Sequence, residues 1–210
     1  RSAVFNCLQA GSLGEAQQSL QEAMLLNVPK DAAPIDDLFD QLVNQLEAAG
    51  RDDEMIPLLE QALKRQPKNA VVHRRLAQLI AKQDDCSPEE AERALELATT
   101  ALQLAPDDAA VLSTVGRAHL RAGHWQQAID VYQQSIDLRV KTELSVGSWV
   151  FNHQLAVARA DQALAAIELG KMEQAKKFVH EAEGGLGHWA FFDESVLQDQ
   201  SPSLRDVVKK

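Results

Sequence analysis

Six histidines and a cluster of carboxylates are the residues of this 210-residue chain that could hold a metal or move a proton. Their spacing argues against both. His180 is followed by Glu181, but no second histidine stands four residues after the first. The two imidazoles on one helical turn that a zinc protease requires are therefore missing. His124 and His188 fall in two Gly-His-Trp triplets, Gly123–Trp125 and Gly187–Trp189, which read as helix-ending turns closed by a packed tryptophan. Asp36, Asp37 and Asp40 lack the alternating ligand spacing of a calcium loop. They suit the first turn of a helix, where carboxylates complement the helix dipole. The glycines of Glu183–Gly187 have no following lysine and no strand context, so they mark a turn and not a phosphate cradle. Cys7 and Cys86 carry no motif and read as buried or incidental thiols of a reducing, cytoplasmic setting, with a single disulfide as the alternative. No catalytic residue, metal or cofactor is expected, and the chain is read as non-enzymatic.

The bulk composition limits the partners. Hydrophobic residues make up 45% of the chain, charged residues 25% and aromatics 5%, with Ala, Leu, Gln, Glu and Asp dominant, a mixture that favours helix. No run of about 18 apolar residues exists to span a bilayer. The formal charge is −10, from 21 basic and 31 acidic residues, so the chain as a whole repels polyanions and nucleic acid is not expected as a partner. The chain opens at Arg1 without a methionine and is read as a fragment or a processed product.

The elements emerge from the small residues. Gly123 and Ala128 stand five apart, and the same spacing joins Gly11 to Ala16, Gly50 to Met55 and Gly170 to Ala175. Seven residues beyond the second member come Ala23, Ala62, Ser135 and Ala182; a further copy keeps Ala94 and Ala101 without the glycine. Read at the Ala16-type position, the copies are offset by 39, 39, 34 and 47 residues.

This pattern resembles the tetratricopeptide repeat, a helix–turn–helix unit of 34 residues, in about five degenerate copies reaching Gly187. The fullest copy runs from Ala109 to Val140, with Leu112, Val115, Gly116, His119, Gly123, Ala128, Tyr132 and Ser135 at the signature positions. The resemblance implies an all-α, right-handed solenoid of antiparallel helix pairs over 1–187, with a capping helix and tail over 188–210. Gly116 and Ala128 would let paired helices approach closely, and Ser135 would do so against the next repeat's first helix. Gly123 would end its helix at positive φ. His119 stands where the family packs an aromatic, so it reads as a core or half-buried residue. Extra residues fall at Pro29–Pro34, at Gln83–Ser87 before a helix opened by Pro88, and around Val146–Ser148 before a long helix, Trp149–Leu169. Trp189, Phe192 and Val196 share one face of the terminal helix, which would cover the last repeat.

In this family the first helices line a concave groove that takes an extended or helical peptide. Carried over position by position, the groove is acidic at Asp37, Asp40, Asn44 and Glu47. It is basic at Arg74, Gln78, Lys82, Ser113, Arg117 and Arg121, with Val71 and Ala110 beside them, and apolar at Val157, Ala160 and Leu164. The lysine–asparagine pair with which chaperone-binding members hold a terminal carboxylate is absent. The expected function is a protein–protein interaction scaffold binding a protein or peptide with an acidic segment. The alternative is a regulatory or substrate-docking module of a larger enzyme whose catalytic domain lies outside this sequence. Self-association through the end helices is compatible with either.

Overall fold

The computed structural model describes residues 14–16, 18, 42–83, 85–142 and 149–185, with 149–153 and 183–185 as backbone alone. Every regular element among them is a helix. The chain divides into two compact units, Arg1–Pro67 and Lys68–Lys210. Cys7, Gly11, Ala23, the Pro29–Pro34 link, the Asp36–Asp40 cluster, Val146–Ser148 and the terminal segment carrying His188, Trp189, Phe192 and Val196 lie outside the described residues.

In the first unit a helical stretch over 42–48 leads through a turn into α1, Asp52–Arg65. Leu42, Val43 and Leu46 are fully buried, as are Met55, Leu58 and Leu59, at the helical spacing of one apolar face. The second unit holds α2 (Ala70–Lys82), α3 (Pro88–Leu104), α4 (Ala109–Arg121), α5 (Trp125–Thr142), α6 (Trp149–Glu168) and α7 (Met172–Gly185). Each helix of this unit packs on the next, and α4 also packs on both α2 and α6. The first helices of three successive pairs therefore stand side by side.

The ends of these helices follow from local chemistry. Asn69 and Asp108 each accept two backbone N–H bonds from the opening turns of α2 and α4. Ser87 and Glu90 form a reciprocal capping box ahead of α3, whose first residue is Pro88 as the sequence predicts. One turn recurs three times. Gly50, Gly123 and Gly170 have φ of 66°, 74° and 71°, a region open to glycine at little cost. After each glycine a backbone N–H reaches back five residues, from Arg51 to Leu46, His124 to His119 and Lys171 to Ala166. This satisfies a carbonyl that the ending helix would otherwise orphan.

The repeat register holds throughout the described residues. Ala16, Met55, Ala94, Ala128 and Ala175 are all at most 2% exposed, and Ala62, Ala101, Ser135 and Ala182 are buried too. Gly116 faces its paired helix as expected, and one other expectation, for Ser135, needs correcting. The Tyr132 ring is what covers Gly116: a Cβ there would sit 2.9 Å from it. Ser135 works within its own repeat, because its hydroxyl donates to the Ala109 carbonyl at 2.7 Å and lies 2.8 Å from the Ser113 hydroxyl. A hydroxyl buried to 1% exposure needs such partners, and the first turn of α4 is what offers them. Helix α6 spans 20 residues, the lengthening predicted for the last pair.

Candidate functional site

The side-by-side first helices of the second unit enclose a cleft of about 260 Å³. Helix α2 supplies Arg74 and Gln78, α4 supplies Ala110, Ser113, Thr114 and Arg117, and α6 supplies Gln154, Val157, Ala158 and Asp161. Within each helix these residues recur at intervals of three and four, so each set is one face. Tyr132 and Arg139 of α5 complete the lining.

The electrostatics are organised around one carboxylate. Asp161 is 3% exposed, on a helix otherwise rich in alanine. Its Oδ2 accepts from Arg117 Nη2 at 2.9 Å and Nε at 3.3 Å, and from the Tyr132 hydroxyl at 2.5 Å. The Asp161 charge holds the Arg117 guanidinium pKa well above its ordinary value, against the opposing effect of burial. Burial, and then the same carboxylate, pushes the Tyr132 phenol well above the usual range, so it stays protonated and donates. Elsewhere in the lining, Arg74 Nη1 donates to Gln78 Oε1 at 3.1 Å, and Arg139 Nη1 donates to Gln154 Oε1.

Of the residues the repeat alignment selects, Arg74, Gln78, Ser113, Arg117 and Val157 come together in this cleft, with Ala110. Five others selected in this unit do not line it, among them Val71, exposed on α2, and Ala160, buried in the apolar cluster of α5, α6 and α7. Arg121 turns away, its Nε donating to the Ala81 carbonyl in the last turn of α2 at 2.7 Å. Lys82 is exposed at the end of α2. Leu164 packs on the apolar cluster formed by α5, α6 and α7. Asn44 and Glu47 are exposed in the first unit, while Asp37 and Asp40 lie outside the described residues. Asp161, Tyr132, Arg139 and Gln154 were not selected from the sequence. A signal for the first existed: Asp161 follows Val157 by four residues, a lone carboxylate on the same helical face. Tyr132 and Arg139 sit on a second helix, so no first-helix pattern finds them.

Among the described residues the histidines form no site of three or more ligands. His119 is half-buried as expected, with its Nδ1 3.4 Å from His124 Nδ1 across the Gly123 turn. Burial and then His124 lower its pKa. Among the described residues no group of three or more His, Cys, Asp or Glu could hold a metal. The Cys86 thiol is free, and its pKa is raised chiefly by burial.

Two tetratricopeptide repeat family models match the sequence, over residues 36–79 and 87–142. Among solved structures, a tetratricopeptide repeat protein from Parabacteroides merdae superposes with a TM-score of 0.64 at 17% identity, covering 99% of this chain and 71% of that one. A thermophilic tetratricopeptide repeat protein from Thermus thermophilus gives 0.59 at 14% identity, covering 99% and 96%. A MamA protein gives 0.63 at 15% identity, covering 88% of each chain. Likeness at these identities carries the fold. No curated protein matches the sequence. Helix pairs, recurrent glycine turns, buried small positions and both family models agree: the chain belongs to the tetratricopeptide repeat family.

Proposed function

We propose that the chain is a protein-interaction scaffold whose second unit receives an acidic peptide segment of a partner in the cleft between α2, α4 and α6. Tetratricopeptide repeats bind proteins or peptides and generally act without catalysis. No helix among the described residues is long and apolar enough to cross a membrane. One observation carries the reading. Six residues selected by repeat position alone line a single cleft, and among the described residues its charged lining is three arginines against one aspartate in a chain of charge −10. An acidic segment is drawn to that local surplus and meets forked donors there. Val157, Ala110 and Ala158 give its apolar side chains a surface and so set the register.

Peptide arrays graded in acidity, read by fluorescence anisotropy, test this with wild type and Arg74→Glu. Circular dichroism confirms the fold of both. Acidic peptides should bind wild type, weaken as salt shortens the Debye length to about 8 Å and below, and lose affinity for the variant. Equal binding to both proteins places the site elsewhere and removes this function from the cleft.

A further inference from the structure

We propose that His119 and His124 form a two-histidine site for a divalent transition-metal ion, at the turn between α4 and α5 and apart from the cleft. The two nitrogens that would ligate are already together: Nδ1 of one ring lies 3.4 Å from Nδ1 of the other. The ring centroids stand farther apart, at 5.5 Å, so both nitrogens occupy the facing edges of their rings.

That separation matches the bite of a metal. Zinc–nitrogen bonds of about 2.0–2.1 Å at a tetrahedral angle hold their two nitrogens roughly 3.3–3.4 Å apart. Neutral imidazole suits zinc, copper and nickel, whereas magnesium and calcium take oxygen. Without metal, the contact is a hydrogen bond in which one ring donates through Nδ1 and the other accepts. On binding, the donating ring releases that proton to water and takes one up at its own Nε2, and both Nδ1 lone pairs go to the ion. Two neutral rings bind, so no net proton is lost. Among the described residues neither ring makes another hydrogen bond that the metal would have to break. Both residues are half-buried, which leaves water a path to the remaining coordination positions.

The backbone holds the two ligands in place. The His124 N–H donates to the His119 carbonyl at 2.9 Å, and the His124 carbonyl accepts the Ala128 N–H at 2.9 Å to open α5. Gly123, at a φ of 74°, makes the reversal between them. Residues on one helical face are three or four apart, and these are five apart, so it is the glycine turn that brings the rings together. The turns at Gly50 and Gly170 carry Leu46 with Arg51 and Ala166 with Lys171 at the matching positions. The turn itself therefore requires no histidine. Burial and then His124 hold the His119 pKa below its ordinary value, so protons compete little for that ring near neutral pH. The Glu92 carboxylate of α3 acts in the opposite sense on His119, favouring positive charge there.

The experiment titrates the full, untagged, metal-free chain with zinc chloride near neutral pH. Ring nitrogens are read by long-range proton–nitrogen NMR and affinity by calorimetry, on wild type, His119→Gln, His124→Gln and His180→Gln. Circular dichroism confirms the fold of each, and magnesium chloride is the control ion. Zinc should move the Nδ1 resonances of His119 and His124 together, saturating at one equivalent, and magnesium should move neither. His119→Gln and His124→Gln should each weaken that equivalent by at least about tenfold, the lower bound for losing even an outer-shell partner of a metal. His180→Gln should leave it unchanged. Zinc that leaves both Nδ1 resonances in place overturns the site, and this wild-type result decides the matter even where a variant fails to fold. A shift at one ring alone overturns the pairing. Affinity that survives both turn variants, or that falls as far with His180→Gln, overturns the location.

Discussion

Asp161→Ala leaves two donors stranded at once: the Arg117 guanidinium and the Tyr132 hydroxyl, whose residue is 1% exposed. Removing one member of a buried ion pair costs about 3–5 kcal/mol, because the remaining charge keeps its desolvation penalty. The Arg117 side chain is 25% exposed against 4% for Asp161, so water entering through the cleft relieves part of that penalty. The expected loss is therefore at the low end, about 3 kcal/mol. Urea unfolding followed by tryptophan fluorescence is the assay, since Trp125 packs against the apolar cluster of the second unit. The midpoint should fall with an unchanged slope. A second variant separates charge from packing. Arg117→Met, Asp161→Leu and Tyr132→Phe together remove the whole polar set and should recover most of the loss, since apolar replacement of a buried pair is often neutral. A loss below about 1 kcal/mol for Asp161→Ala would refute the buried-pair reasoning. So would a combined variant as unstable as the single one.

Three further outcomes follow from the geometry. Gly116→Ala should destabilise the second unit by about 1–3 kcal/mol in the same urea assay, because the added Cβ meets Tyr132 at 2.9 Å and Asp161 anchors that ring at its hydroxyl. The penalty should shrink in a Tyr132→Leu background, as coupled neighbours do not add. Gly123→Ala should cost about 1–2 kcal/mol through its φ of 74° alone, since the Trp125 ring is 3.6 Å from the new Cβ and offers no clash. His119 titrates below 6.5 in the folded chain, so the unfolded chain binds its proton first as pH falls. Its contribution is complete above about pH 6.5 and lost as pH drops through the folded value, and His119→Gln should flatten that part of the stability profile.

The architecture was legible because repeat stacking imposes a local rule. A close helix crossing admits only a small side chain, so Ala94, Ala128 and Ala175 advertise their burial by type and spacing. A helix ended by a left-handed residue needs glycine, so Gly50, Gly123 and Gly170 advertise their turns. The cleft was half legible. Arg74, Gln78, Ser113, Arg117 and Val157 follow from counting along first helices. What they do once there depends on partners far away in sequence, and no periodicity encodes those. Arg117 meets Asp161 across 44 residues, and Arg121 finds the Ala81 carbonyl across 40. Two arginines one turn apart on α4 therefore have different fates. One lines the cleft as half of an ion pair and the other ties α4 to the end of α2.

An assigned amide spectrum of the full chain, titrated with the tightest peptide from the arrays, tests the central claim most directly. The account predicts the largest shifts at Gln78, Ser113, Gln154 and Val157, from the first helices of three successive pairs. Shifts confined to the outer face of α3, around Glu89, Glu92 and Glu96, with those four residues unmoved, would contradict it.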